Sequence, residues 1–240
     1  MAAHPLVIVP TPIGNLEDIT FRAVRHLKEA DYILVEDTRT SAKLMRAYDI
    51  MTPLRSFHMH NEHSMADSVA EEIAAGASVA LVTDAGMPGI SDPGYLLVRA
   101  CIKRGLEVTC LPGATAAITA LVGSGLPCER FRFEGFLPHK KGRLSRLEAL
   151  KKSEMTAILY ESPSRLVKLL EQMLLTFGEN REVVVARELT KVHEEYHRGS
   201  LQEILDYFSH HDPLGEIVVL VAPAEKEIRE HTNKYKPLDN

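Results

Sequence analysis

The residues best suited to chemistry lie in four short loops. "TDAGMPGISDPG", Thr83 to Gly94, holds three glycines, two prolines and two aspartates directly after the apolar run "SVALV". Glycine lacks a Cβ, so a ligand can approach the backbone, and proline fixes the turn without a ligand's help. Asp84 offers a carboxylate to a cation or a hydroxyl. "PTPIGN" (10–15), "EDTRT" (36–40) and "LPGATAA" (111–117) also follow apolar runs. Thr115 stands where it can cap the next helix, whose first amides could then face a carboxylate or phosphate. Each loop alone reads equally well as a tight turn between strand and helix. Four at one edge of a parallel sheet, beyond the carboxyl ends of its strands, predict a ligand site.

The loops exclude two common ligands. A dinucleotide site needs G-x-G-x-x-G after the first strand with an acid further on. Glu36 or Asp37 could be that acid, but "PTPIGN" has one glycine, and its prolines offer no N–H to a pyrophosphate. No GK[ST] is present, which removes a P-loop. A ligand carrying one carboxylate and one cation suits Asp84 and backbone amides better. S-adenosylmethionine is such a ligand, although these residues alone do not single it out.

Two histidine patterns compete for a metal. "HEEYH" (193–197) matches H-E-x-x-H, which binds zinc only on a helix, where both histidines share a face. The flanking "EVVVAREL" is strand-like and Gly199 follows at once, so the segment reads as a strand. Residues four apart would then lie roughly 13 Å from each other, too far for one ion. "HMHNEH" (58–63) reads as a polar loop at the sheet edge, able to line a cleft; no metal is expected. "HKKGRLSRLEALKKSE" (139–154) carries six basic and two acidic residues in a chain of net charge −5. It reads either as a solvated helix face with pairs such as Glu148–Lys152 or as a contact for RNA phosphates.

The elements that must position these loops alternate. Strand-like "LVIV", "YILV", "LRSF", "SVALVT" and "LEVTCL" are separated by helical patterns. One of these, "TFRAVRHLKEA", sets Phe21, Val24, Leu27 and Ala30 on one helical face. Nearly all-apolar strands between helices imply a parallel sheet covered on both faces. After Gly113 the rhythm changes. "RFRFEGF", "MTAILYE", "EVVVAREL", "VHEEYHRG" and "EIVVLVA" include neighbours with little between them, which implies antiparallel pairing. The predicted fold is α/β in two domains, 1–113 with a mostly parallel sheet and 114–223 with a mixed sheet, followed by a polar tail, 224–240. The 240 residues are 45% hydrophobic and 25% charged, an ordinary globular composition. No apolar run approaches membrane-spanning length, and "MAAHPLVIVPTP" lacks the pattern of a signal peptide. Three scattered cysteines suit a reducing compartment.

Taken in order, "VPTPIGNLEDIT", "EDTRTS", "TDAGMPGISDPGYLLVRA", "LPGATAAITALVGSGLP", "FEGFLP", "YESPSRL" and "ARELTKVHEEYHRG" resemble the bacterial 16S ribosomal RNA 2′-O-methyltransferases of the tetrapyrrole-methylase superfamily. The resemblance runs from about Leu6 to Val221. It implies a two-domain methyltransferase, not of Rossmann type, that binds S-adenosylmethionine between its domains. It also implies a cytoplasmic homodimer that methylates the ribose 2′-hydroxyl of a decoding-region cytidine in 16S rRNA, with 16S rRNA, free or in the 30S subunit, as partner. Carried over, cofactor contacts fall on Ile13, Gly14, Asp84, Gly86, Met87, Ile90, Ala114 and Thr115. In the second domain they fall on Tyr160, Ser162, Ala186 and Gly215. The chain departs from the family at Met87, Met59 and Ser164, where threonine, a polar residue and histidine are usual.

A ribose hydroxyl is a poor nucleophile while neutral, so a base or nearby cation helps. Candidates are Glu161, Glu188 and Lys191, in "YESP" and "ARELTK"; each also reads as a structural ion pair. Arg39 and Asn61 are candidates to hold RNA phosphate or base, with Lys140, Lys141 and Arg143 on the backbone. A tetrapyrrole C-methyltransferase of the same fold is the alternative reading, and a zinc hydrolase through "HEEYH" is the alternative from another class.

Overall fold

The computed structural model describes residues 5–224. Beyond Ala224, the polar tail assigned to 224–240 lies outside the described residues. The first half builds β1 (Leu6–Ile8), α1 (Phe21–Glu29), β2 (Tyr32–Val35), α2 (Thr38–Ala47), β3 (Leu54–Ser56), α3 (Glu62–Ala74), β4 (Val79–Leu81), α4 (Tyr95–Lys103) and β5 (Val108–Cys110). Its five strands form one sheet in the order β3-β2-β4-β1-β5, and every pairing is parallel. Successive residues of a strand face opposite sides, and here both sides are covered. Leu6, Ile8, Leu34, Val79 and Leu81 pack under α3 and α4. Val7, Val9, Ile33, Val35 and Ala80 pack under α1 and α2. That double burial is why the strands read as unbroken apolar runs.

The helices start where the sequence supplies caps. The Thr20 side chain accepts from Ala23 N at the head of α1, and Asp37 accepts from Arg39 N at the head of α2. Of the helical face formed by Phe21, Val24, Leu27 and Ala30, one residue departs. Phe21 is 98% exposed, whereas Val24, Leu27 and Ala30 pack into the core together with Ala23. Phe21 lies about 200° around the helix from Ala23, on the outer side.

The second half builds α5 (Ala116–Ser124), β6 (Phe131–Phe136), α6 (Arg143–Lys151), β7 (Thr156–Glu161), α7 (Pro163–Phe177), β8 (Glu182–Arg187), β9 (Glu195–Ser200), α8 (Leu201–His210) and β10 (Ile217–Val221). Its sheet has the order β6-β7-β10-β8-β9. β6 and β7 are parallel and the other pairs antiparallel, a mixed sheet. α6, α7 and α8 cover one face around Leu147, Leu169, Met173, Val183 and Phe208. α5 covers the other with Ala117, Ala120 and Leu121, and Ile13 of the first loop joins that cluster. The two halves thus share a core at the point where the loops of the first sheet meet the second. Part of "HEEYH" is the strand expected: Glu195 to His197 lie in β9, while His193 and Glu194 precede it. His197 contacts Glu195 at 2.9 Å, and no group of residues able to hold a metal occurs among the described residues.

Candidate active site

Two of the glycine loops are joined directly. Thr11 N donates to Gly86 O at 2.9 Å and Gly86 N returns to Thr11 O at 3.0 Å, an isolated bridge just beyond β1 and β4. The Thr11 hydroxyl also donates to Thr83 O. Gly86 has φ +84°, a left-handed conformation that a side chain rarely adopts, and a Cβ there would sit 3.3 Å from Ile13 Cγ2. Ser91, in the same loop, is left-handed without being glycine, at φ +67°. Such strain persists only where the surroundings enforce it. Further along, Gly94 N and Leu96 N at the head of α4 donate to Glu62 Oε1 at 2.8 and 3.0 Å. That ties the head of α3 to the end of the glycine-rich loop.

The loops enclose a cavity of about 430 Å³. One wall is the third loop, Thr83 to Asp92, with Ile13 beside it. The facing wall is the second sheet, through Phe136, Tyr160 to Pro163, Leu189 and Gly215 to Val218. The first turn of α5 closes one side with Thr115 and Ala116. Thr115 is the N-cap residue of α5, but its hydroxyl makes no capping bond.

Three carboxylates gather at one side. Glu36, Asp84 and Asp92 all line the cavity, and the Thr83 hydroxyl donates to Glu36 at 3.0 Å. Burial, reinforced by the charges of Glu36 and Asp84, pushes the Asp92 carboxyl up to about 6. Asp84 is raised as well, chiefly by burial, although Asp37 N donates to it. Tyr160, on the opposite wall, is raised by burial. The rest of the lining is largely apolar, with Ile13, Met87, Ile90, Leu189, Ile217 and Val218. The cavity therefore suits a ligand with a cationic part and a flat or aliphatic part.

Of the predicted cofactor residues, the structure brings Ile13, Asp84, Gly86, Met87, Ile90, Thr115, Tyr160, Ser162 and Gly215 to this cavity. Three others lie elsewhere. Ala186 is fully buried in the sheet, in the cluster under α5, because its strand sits between β10 and β9. Gly14 instead meets the segment after β8: a Cβ there would fall 2.7 Å from Thr190 Oγ1 and 2.8 Å from Leu189 O. Ala114 backs the Gly86 turn with its carbonyl. Asp92, Glu36, Phe136 and Glu216 line the cavity without having been singled out as cofactor residues. Asp92 lay inside the quoted loop, and its "DPG" setting carries no sign that the fold half-buries it.

The three candidate bases are all committed. Glu161 lines the cavity but is buried, and accepts from Arg143 at 2.9 Å, Arg165 at 2.7 Å and Ser162 N at 2.9 Å. Burial alone would raise its carboxyl; the two guanidiniums outweigh that and hold it below the usual range. Lys191 donates to Glu188 at 2.7 Å and to Glu216 at 3.0 Å. Burial works against its charge, yet the two carboxylates raise it above the ordinary lysine value. Glu188 is lowered, first by Lys191. Glu188 and Thr190 beside this pair are both left-handed, and Thr190 Oγ1 accepts from Asn15 N at 3.0 Å, which clamps the first loop to the segment after β8.

The RNA candidates divide. Lys140 and Lys141 are exposed in the loop after β6. Arg143 is a correction: it is 5% exposed, donating through Nε to Gln172 at 2.7 Å as well as to Glu161. It begins α6 on the side facing α7, so it cannot reach an RNA phosphate. Asn61 is a second correction. Its Oδ1 accepts from His58 N at 2.7 Å and its Nδ2 donates to Ser56 O, so both ends hold its own loop. Arg39 is exposed and forked on Asp37, whose carboxyl it holds down to about 2.

With this geometry in view, the comparisons with known proteins are direct. The family described as tetrapyrrole (corrin/porphyrin) methylases matches residues 5–205. The chain is 52% identical to the ribosomal RNA small subunit methyltransferase I of Halalkalibacterium halodurans, over 90% of this chain and 75% of that one. It is 46% identical to the protein of the same name from Thermotoga maritima, over 92% and 99%. Solved structures share the fold at low identity. A cobalt precorrin-4 methyltransferase superposes with a TM-score of 0.67 at 18% identity, covering 92% of this chain and 96% of that one. A diphthine synthase superposes at 0.70 with 15% identity, covering 90% and 89%. Loops, cavity and sequence match agree, and the chain belongs to the tetrapyrrole (corrin/porphyrin) methylase family.

Proposed function

We propose that this chain is an S-adenosylmethionine-dependent methyltransferase acting on the ribose 2′-hydroxyl of a cytidine in the decoding region of 16S ribosomal RNA. The observation that carries the reading is that the motif segments shared with the small-subunit methyltransferases converge on one cavity between the two sheets. The residues present fit the donor. The volume falls in the range of roughly 300–1,000 Å³ usual for small-ligand sites. Gly86, left-handed at φ +84°, gives the loop a conformation that side chains rarely adopt, and a Cβ there would press on Ile13. Carboxylates at one side suit an ammonium or sulfonium, and the aliphatic wall suits a flat base.

S-adenosylmethionine supplies, when bound, a methyl group on a positively charged sulfur, open to in-line displacement by an oxygen. The protein's part is alignment, worth several kcal/mol when two reactants are held in register. Asp84 and the third loop would hold the cationic end, and Met87, Ile90 and Ile13 the apolar part. Glu161 acts as a positioning residue: pinned by Arg143 and Arg165, it fixes the turn at Ser162 and Pro163. Asp92 is the carboxylate best suited to take the hydroxyl proton, since it lines the cavity and titrates near 6.

The 30S subunit is the proposed substrate particle, a homodimer the proposed assembly and the cytoplasm the proposed location. The test is incubation of the protein with labelled S-adenosylmethionine and 30S subunits lacking the modification, followed by nucleoside analysis. Label in 2′-O-methylcytidine supports the reading. Label appearing only in a tetrapyrrole offered in parallel would replace it with the C-methyltransferase alternative.

A further inference from the structure

The strand "RFRFEGF" carries three large aromatic residues that the fold leaves uncovered. Phe131 is 42% exposed, Phe133 36% and Phe136 56%. β6 is an edge strand, paired only with β7 in its sheet. Strict alternation would put Phe131 and Phe133 on one face and Phe136 on the other. It does not, because the register slips at Glu134. Phe131 pairs with Thr156, Phe133 with Ile158, then Gly135 with Leu159 and Phe136 with Tyr160. The extra residue returns Phe136 to the face of its two companions. Gly135 accommodates the bulge at φ +59°, and a Cβ there would lie 3.3 Å from Ser91 Oγ of the cofactor loop.

The result is an aromatic stripe with a direction. Its inner end is Phe136, which lines the cavity with Tyr160. The Tyr160 ring meets Phe136 edge-on at 5.5 Å and Phe133 at 5.1 Å. Its outer end is Phe131, beside Arg130. The stripe lies on the face that α5 covers further along the sheet, yet α5 packs on β7 to β10 and stops short of β6. Arg130, Lys140 and Lys141 flank it at the two ends of the strand and enter no ion pair among the described residues. Arg132 and Arg146, on the other side, are held by Glu134. Large exposed rings in a row, leading into a ligand cavity and bracketed by free cations, are what a single-stranded nucleic acid requires: ring faces for bases and charge for phosphates.

We propose that Phe131, Phe133 and Phe136 form a base-stacking track for unpaired RNA, with Phe136 holding the base of the nucleotide whose ribose enters the cavity. This rests on the RNA methyltransferase reading and adds to it the surface that selects single-stranded substrate. The bulge at Glu134 is the device that aligns the track with the cavity.

The experiment uses the full chain and 30S subunits lacking the modification. Phe131→Leu, Phe133→Leu and Phe136→Leu keep apolar bulk but remove the π-face. Each is expected to weaken subunit binding by roughly 5- to 100-fold, the size of one lost base stack. Phe131→Trp and Phe133→Tyr are expected to bind like wild type. Phe131→Leu, farthest from the cavity, should keep wild-type affinity for S-adenosylmethionine, and light scattering should show an unchanged mass. Ultraviolet cross-linking followed by peptide mapping should place RNA on residues 131–136. Leucine variants that bind subunits normally, or cross-links confined elsewhere, would overturn the track while wild-type methylation of RNA leaves the underlying reading intact. A lower mass with unchanged subunit affinity would assign the stripe to a second copy of the chain and also overturn it. No methyl transfer to RNA by the wild type would remove the reading itself.

Discussion

Arg143 and Glu161 form a buried ion pair, 2.9 Å between guanidinium and carboxylate, that joins the first turn of α6 to the wall of the cavity. Both side chains are almost out of contact with solvent, and each has further partners, Gln172 for one and Arg165 for the other. A charge buried this deeply is tolerable only while it is paired.

Removal of one partner is therefore costly. Arg143→Ala should destabilise the fold by about 3–5 kcal/mol, since it leaves the Glu161 carboxylate with one guanidinium in a buried site. For a chain of this size that corresponds to a fall of roughly 6–20 °C in melting temperature, measured by calorimetry. A melting temperature within a degree or two of wild type would contradict the buried pair.

The exposed lysines behave differently. Lys140→Ala with Lys141→Ala should leave melting temperature unchanged and raise KM for 30S subunits. If both lysines meet phosphates, the slope of log affinity against log salt should shrink by about 1–2. Salt titrations of wild type and double variant decide this.

Gly86 is held at φ +84° against Ile13. Gly86→Val places a branched side chain in that conformation, at a cost of about 1–2 kcal/mol or more, and presses it on Ile13. S-adenosylmethionine affinity by titration calorimetry should fall at least tenfold, and Asp84→Ala should lower it as well. Wild-type affinity in both would remove the donor site from this loop.

Asp92 sets a pH dependence. Its carboxyl is raised from 3.8 to about 6 in the folded protein, so the native state holds a proton there that the unfolded chain has released. The contribution to stability is thus fully present below about pH 4 and is lost as pH rises through 6. Asp92→Asn should flatten that part of the stability curve, read from denaturant midpoints between pH 4 and 7. If Asp92 is the base, kcat/KM should rise about tenfold per pH unit below 6 and level off above it. The asparagine variant should lose roughly 10²–10⁴ of the rate.

Much of this was legible in the residues because it rests on local pattern. Leu6 to Val9 and Tyr32 to Val35 read as buried parallel strands, and both are. The glycine-rich loops were expected to gather beyond the carboxyl ends of the strands, and Gly86 and Thr115 both line the cavity there. What was not legible depends on which way a side chain turns. Arg143 sits in a basic run, and only the packing of α6 on α7 sends it inward while Lys140 and Lys141 stay out. Asn61 resembles a polar contact residue, but its short side chain finds partners in its own loop first. The stripe on β6 was hidden for another reason: period-two reading splits Phe136 from Phe133, and a bulge leaves no mark in composition.

If the cavity takes S-adenosylmethionine as proposed, the three carboxylates around Thr83 would also act as a charge sieve. Glu36, Asp84 and Asp92 lie within one small cavity, and two of them are partly shielded from water, where like charges repel more strongly. A polyphosphate entering it would meet this repulsion, and no lysine or arginine is among the residues that line the cavity. An adenosine compound that ends in a sulfonium and an amino acid meets attraction instead. Under the proposed function, the cavity would tell such a compound from an adenine nucleotide by sign of charge. The same sign would hold the phosphates of an RNA substrate at the rim and leave a sugar hydroxyl free to enter.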